Sequence, residues 1–254
     1  MQKRTFSIID MCMGWLVFTI AAITYCLTIE PTASLWDCSE FITCGYKLEI
    51  GHPPGAPFFM LMANLFSQFA SSPSEVARMV NLLSALLSAG CILFLFWTIT
   101  HLVRRLIVSD DDYSIRKVIL IESCGIVGAL AYTWSDTFWF SAVEAEVYAF
   151  SSFLTALVVW LILKWEDGAE SGTSDRWIIL IAYIIGLSIG VHLLNLLCIP
   201  PMVLFMYYRK AKKITRWRTI GAIATGALVV ALVLYGFIPG IVRTGGWFEL
   251  LMTN

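Results

Sequence analysis

Long apolar runs alternate with short polar connections along this chain. Runs near the roughly 20 residues that cross a hydrocarbon core occupy 8–27, 79–103, 118–134, 138–163 and 219–237. A further apolar stretch, 177–208, is too long for one crossing and is interrupted by Pro200 and Pro201. It reads as two short helices that go out and come back, turning near the segment GVHLLN. Lys and Arg favour the cytoplasmic side of short loops. They gather at Lys3 and Arg4, at Arg104, Arg105, Arg116 and Lys117, and between Arg209 and Arg218. All three groups fall on one side if the chain crosses about seven times, which puts the N-terminus in the cytoplasm. Residues 28–78 and the tail GIVRTGGWFELLMTN then lie on the other side.

Within that external stretch, 57–69 is apolar but too short to span comfortably. Asn64, Ser67 and Gln68 fall on one side of it at helical spacing, the pattern of a helix lying in the interface. Ser72 and Glu75 have capping-box spacing, with Pro73 at the first helical position, and open the next span. No repeat and no low-complexity linker divides the chain. The pattern therefore predicts one transmembrane module over 1–254, the N-terminal part of a longer protein, with short interfacial helices in 28–78.

Composition sharpens this into an all-α integral membrane protein. The 254 residues are 59% hydrophobic and 14% charged, against roughly 25% charged in soluble domains, and the mean hydropathy is +0.79. The net charge of −1, with basic residues confined to particular loops, offers no surface for nucleic acid. Of seven cysteines, five lie in or beside apolar runs, where a thiol behaves as a small hydrophobe. Cys38 and Cys44 share the polar loop and would pair only if that loop met an oxidising compartment. Helical spacing would hold them apart.

Chemistry concentrates in the segment SLWDCSEFITCGYKLEIGHPPGAPFF, 34–59. Asp37 and Glu40 have capping-box spacing, with Asp37 at the N-cap; equally, one of them is a general base facing a cavity. Gly51, Pro53, Pro54, Gly55 and Pro57 make a rigid bend that holds His52 toward the same face. Farther on, Glu144 and Glu146 are predicted roughly 9–12 Å into a helix, at 1.5 Å per residue. A carboxylate there costs a few kcal/mol unless it faces a cavity or a partner. Two residues apart, they point different ways, and the choice falls on Glu146. His192 and Asn195 stand at the tip of the short hairpin, where spacing of three places them on one helix face. Arg78 and Arg243 are external cations whose guanidinium groups match phosphate oxygens, making them candidates for an anionic lipid carrier or ordinary headgroup contacts. Phosphate-binding loops, HExxH, CxxC and Gly-x-Ser-x-Gly are absent. Asp37, Glu40 and His52 have no diagnostic metal spacing, so a divalent ion is not favoured and no cofactor is expected.

Taken in order, WDCSEF, GHPPGAPFF, ARMVNLLSALLSA, AVEAEVYAF and IGLSIGVHLLNLLCIPP resemble the protein O-mannosyltransferase-like family, a branch of the GT-C membrane glycosyltransferases. The resemblance covers nearly the whole chain. It implies a GT-C-type helical bundle and transfer of a sugar, mannose in the first instance, from a polyprenyl-phosphate carrier. The acceptor would be a Ser or Thr hydroxyl of an exported protein. The reaction would be inverting and occur on the non-cytoplasmic face, periplasmic if the cell is bacterial and the membrane its inner one. It makes Asp37 the first choice of catalytic carboxylate and Glu40 the second, with His52, Glu146 and His192 shaping the site. Family members usually continue with further spans. Two rival classes stand beside this reading: a transporter or lipid-linked-sugar flippase, which spreads polar groups through the bilayer depth, and a non-catalytic membrane subunit, which tolerates amides at Asp37 and Glu40.

Overall fold

The computed structural model describes residues 2–109, 111–169 and 174–253, and among these it is helical with no strand. The elements run α1 (Lys3–Leu27), α2 (Cys38–Lys47), α3 (Pro57–Ser67), a 3-10 turn (Pro73–Glu75) and α4 (Val76–Ile107). They continue as α5 (Ile115–Thr133), α6 (Asp136–Ala142), α7 (Val147–Asp167), α8 (Asp175–Ile189), a 3-10 segment (Leu193–Cys198) and α9 (Ile199–Lys210). Then come α10 (Arg216–Leu232), a π-helical turn (Val233–Phe237) and α11 (Ile238–Thr253).

Helix α4 is the centre of the bundle and packs against α1, α5 and α7 along its length. Its buried face is built from small residues, Ala85, Ser88, Ala89 and Gly90, which let neighbours approach closely. The outer faces of α1 and α5 expose Ile8, Leu16, Ile23, Ile119 and Val127, an apolar exposure that fits helices facing lipid.

Four helical runs are long and apolar enough to cross a bilayer: α1, Pro73–Ile107, α7 and Arg216–Thr253. A fifth arises if α5 and α6, bent by 69° to one another, act as one broken span. The other two of the seven expected crossings would fall on α8 and α9. At 15 and 12 residues these rise only about 22 and 18 Å, short of the roughly 30 Å hydrocarbon core. The prolines predicted to interrupt this stretch instead begin α9, in its first turn, where a missing N–H costs nothing.

Two local expectations are corrected. The span predicted over 138–163 breaks at 143–146, so Glu144 and Glu146 lie in a non-helical connection and α7 begins only at Val147. Glu146, extended at φ −126° and ψ 148°, occupies the N-cap of α7. The positive end of that helix favours a carboxylate there, whereas a continuous helix would have buried both in its apolar interior. The C-terminal tail continues the last apolar run as helix: Arg216–Thr253 is one run. Its π-helical turn lies just before Pro239, whose missing N–H such a turn accommodates. Asn254, the tail's last residue, lies outside the described residues. The capping box at Ser72 is also not formed: Glu75 accepts from the Ser71 amide (3.0 Å) and not from that of Ser72, and the Ser72 side chain makes no cap bond.

Candidate active site

The loop 28–37 carries the chain from α1 to α2 and is pinned in two places. Asn81, on α4 and fully buried, donates its Nδ2 to the carbonyls of Glu30 (2.7 Å) and Thr32 (3.0 Å). On the other side the Glu30 amide donates to the Val143 carbonyl (3.0 Å), and the Ser34 hydroxyl donates to the Glu144 carboxylate. Glu144 is buried beside the break, and burial pushes its carboxyl above the ordinary range. The loop ends at Trp36, which holds a left-handed φ of 70° while its ring is 88% exposed. A bulky residue is rarely found at such a φ.

Asp37 follows at the N-cap of α2. It has helical dihedrals (φ −82°, ψ −4°) and makes no side-chain cap bond. The capping box read from the sequence is thus not formed, and the Asp37 carboxylate is not committed to the helix. Glu40, one turn on, turns instead to the rigid bend: it accepts from the His52 backbone N–H (2.5 Å) and pairs with His52 Nδ1 (3.1 Å). Those two bonds hold the Glu40 carboxyl below its ordinary range. An ionised Glu40 can only accept, so His52 Nδ1 carries a proton toward it, and Nε2 is the ring atom left for other partners. Gly51 makes this passage, since a Cβ there would sit 3.1 Å from Glu40 Oε1. The bend itself contains a cis Pro53–Pro54 bond and Gly55 at φ 88°, whose amide closes a turn onto the His52 carbonyl (2.8 Å).

Helices α2 and α3 pack where Gly45 meets Ala63, leaving no room for a Cβ at 45. Asn64, read from the sequence as an interfacial polar residue, caps α2 by donating to the Gly45 and Tyr46 carbonyls (3.1 and 3.0 Å). At the other end of α3 the Phe58 and Phe59 amides donate to the Gly190 carbonyl (2.7 and 3.3 Å), so the end of α8 caps the start of α3. The approach is close: a Cβ on Gly190 would lie 2.9 Å from Phe58 Cβ and 3.3 Å from its amide nitrogen. Gly190→Ala is therefore expected to lower stability by about 1–3 kcal/mol, as overpacking does, read as an earlier thermal unfolding in detergent.

This junction delivers His192 beside the first loop. Its Nδ1 accepts from the Leu194 amide (3.1 Å), which leaves the proton on Nε2, and burial lowers its pKa, so at neutral pH it is an uncharged donor. Asn195 points elsewhere. It is buried, and its Oδ1 accepts from Ser151 (3.0 Å) and Thr155 (2.6 Å) of α7, because His192 is extended (φ −157°) and precedes the 3-10 segment, so the two do not share a helix face.

Asp37, His52, Glu146 and His192 line one cavity of about 80 Å³, together with Phe41 and Tyr148. Four distant stretches of chain thus converge at the end of the bundle where α4 and α7 begin. Candidate ligand atoms of Asp37, Glu40 and His52 lie within 4.8 Å of one another, close enough to share a cation. Glu146 is 4% exposed. Burial first, then the negative charges of Glu144 and Asp37, push its carboxyl from 4.5 up to about 7. The folded state therefore binds a proton that the unfolded chain gives up near 4.5. The stability this proton contributes is fully present below pH 4.5 and lost as pH rises through 7. Wild-type melting temperature should fall across that window, and Glu146→Gln should flatten this part of the profile. An unchanged profile in the variant would remove Glu146 from the explanation.

Arg78 and Arg243 do not line the cavity. Arg78 is exposed in the first turn of α4, whose buried neighbours Val76 and Val80 pack with Cys38, Phe41 and Phe59. Arg243 is exposed on α11, which packs mainly on the π-helical turn before it. Cys38 and Cys44 are free thiols, both buried on α2. Sequence reasoning missed Asn81, Ser34, Gly190 and Tyr148. A lone amide inside the apolar run of α4 was a visible signal for Asn81. Nothing local marked the others.

The fold and the cavity thus define a helical membrane protein that gathers two carboxylates and two histidines at one end of its bundle. Residues 37–215 match the family described as "Protein O-mannosyl-transferase TMEM260 N-terminal domain", and the chain belongs to that family. It is 29% identical over 202 residues to mouse "Protein O-mannosyl-transferase TMEM260", covering 78% of this chain and 26% of the relative. It is 24% identical over 147 residues to "Protein O-mannosyl-transferase tmem260" of Dictyostelium discoideum, covering 58% of this chain and 16% of that protein. The chain thus spans about a quarter or less of these relatives' lengths. No solved structure matches it.

Proposed function

We propose that this chain is the site-bearing module of a GT-C-type mannosyltransferase. It moves mannose from a polyprenyl-phosphate carrier to a Ser or Thr hydroxyl of an exported protein, on the non-cytoplasmic face of the membrane. The observation that supports this most is the convergence of Asp37, His52, Glu146 and His192 on one cavity, in a chain whose family relatives are named protein O-mannosyl-transferases.

In this reading the acceptor oxygen attacks the anomeric carbon as its proton passes to the Asp37 carboxylate. The C–O bond to the carrier breaks, and its electron pair leaves on the lipid phosphate. Such a leaving group is already an anion, so it needs a cation more than an acid. Arg78 serves better than Arg243, because α4 packs on α2 and α3 whereas α11 packs mainly on the π-helical turn before it. Glu40 orients His52, and the His52 ring and the His192 Nε2–H position sugar hydroxyls. The exposed indole of Trp36 offers an apolar face beside Asp37. About 80 Å³ is less than the roughly 300 Å³ at which small-molecule pockets begin, so the cavity takes the reacting edge of the sugar, with the rest lying over its mouth. A divalent cation is not required.

The donor is tested by offering membranes that carry the protein either polyprenyl-phosphate-linked labelled mannose or a nucleotide-linked one. The proposal expects label in protein from the first and, with carrier synthesis blocked, none from the second. Transfer from the nucleotide sugar under that block would overturn it. Arg78→Gln should raise KM for the lipid donor about tenfold, one charge-assisted contact's worth, with a smaller effect on kcat.

A further inference from the structure

A second polar cavity, of about 340 Å³, lies between α1, α4 and α7 at the far end of α4 from the site above. That volume is near the lower limit for small-molecule sites, about 300–1,000 Å³. One wall is cationic. Arg104 donates to His101 Nδ1 (3.3 Å), and a guanidinium has no acceptor, so the neutral imidazole carries its proton on Nε2. His101 is 8% exposed and that Nε2 has no partner. Lys164 stands over the Trp160 ring (5.0 Å) and makes no ion pair among the described residues. The other wall is anionic. Asp10 lines the cavity, bonded to the Thr100 side chain and within electrostatic reach of Lys164 and Arg104, with a buried Oδ1 that has no hydrogen-bond partner. The second carboxylate here, Asp167, is already held by Arg104 and Arg105 (3.5 and 3.6 Å), and Arg105 also pairs with Glu166 (2.5 Å).

The unmet groups are thus a buried N–H and an ammonium on one side, and a buried carboxylate oxygen on the other. A simple anion would satisfy the first pair, but it would compete with the Asp10 carboxylate for Lys164 and Arg104 and leave Asp10 Oδ1 without a donor, at a cost. A simple cation would do the reverse. The geometry points to a zwitterion that carries a phosphate and a primary ammonium, the head group of an ethanolamine phospholipid. Its phosphate meets Lys164, Arg104 and His101 Nε2–H, and its ammonium meets Asp10 against the indole of Trp97. The position suits a lipid: α4 crosses the apolar core between the two cavities, and Arg104 and Arg105 mark this end as the boundary with water. The site is separate from the proposed transfer reaction, and its test reads binding alone.

The test titrates purified protein in detergent with three short-chain phospholipids, bearing ethanolamine, choline or glycerol head groups, and with free phosphoethanolamine. Thermal unfolding reports occupancy. Wild-type protein should bind the ethanolamine lipid at least about tenfold tighter than the other two. Asp10→Asn should erase that preference while still binding all three, because the phosphate contacts remain. His101→Phe should weaken all three about tenfold, and His101→Gln, which keeps a donor, should weaken them less. If Asp10→Asn does not fold, Lys164→Gln reads the phosphate wall instead and should weaken all three lipids. Ethanolamine lipid binding without the free head group assigns the ligand to the bilayer. Equal binding of both assigns a soluble phosphoethanolamine, and either result upholds the chemistry. Equal affinity for the three lipids in wild type, an undiminished preference in Asp10→Asn, or no binding of any probe would overturn it.

Discussion

Asp37→Asn is expected to lower kcat for sugar transfer by about 10²–10⁴-fold, the range of a positioned general base, while KM for the lipid donor changes little. Asp37 has the helical dihedrals of the start of α2 and makes no cap bond, so its carboxylate contributes little to the helix that an amide would lose. Asparagine is also as good an N-cap as aspartate. The variant should therefore fold, express and melt like the wild type, and the loss should fall on the chemical step. A matching loss of stability would assign Asp37 a structural duty instead. Glu40→Gln separates the two carboxylates: it weakens the bonds that hold His52 (2.5 and 3.1 Å) and should cost activity less than Asp37→Asn.

Asn81→Leu is the structural counterpart. Its side chain is fully buried, and among the described residues it alone ties the Glu30 and Thr32 carbonyls to α4. Leucine fills a similar volume but leaves both carbonyls without that donor. Both bonds are only part-buried and Thr32 is exposed, so water replaces part of each; at about 0.5–1.5 kcal/mol per bond, we expect about 1–3 kcal/mol in total. The loop leads directly into Trp36 and Asp37, so activity should fall even at temperatures where the variant remains folded. Thermal unfolding and transfer measured on the same preparation check both parts. A variant that melts normally and transfers normally would show that the loop is held without Asn81.

Much of the architecture was legible because apolar length is a strong signal: the predicted spans at 8–27, 79–103 and 118–134 correspond to α1, α4 and α5. The Pro- and Gly-rich bend was legible too, since those residues restrict the backbone wherever they stand. What escaped was set by tertiary contacts. Nothing in the local pattern says that Glu146 will end a break and not sit inside a helix, because apolar residues flank it on both sides. The Asp37–Glu40 spacing fits a capping box, yet Glu40 finds a better partner in His52, which the bend brings from twelve residues away. Likewise, spacing of three suggested a shared face for His192 and Asn195, but an extended His192 sends one to the cavity and the other to Ser151 and Thr155. Residue types marked the candidates; only the fold decided which of them meet.

The central claim is direct transfer at this cavity with Asp37 as base. Its most direct test is the anomeric configuration of mannose on a Ser/Thr acceptor peptide, measured for wild type and for Asp37→Asn at equal folded abundance, with polyprenyl-phosphate-mannose as donor. A single displacement predicts a product of configuration opposite to the donor's in the wild type and almost none in the variant. Retained configuration, or undiminished transfer by Asp37→Asn, would contradict the account.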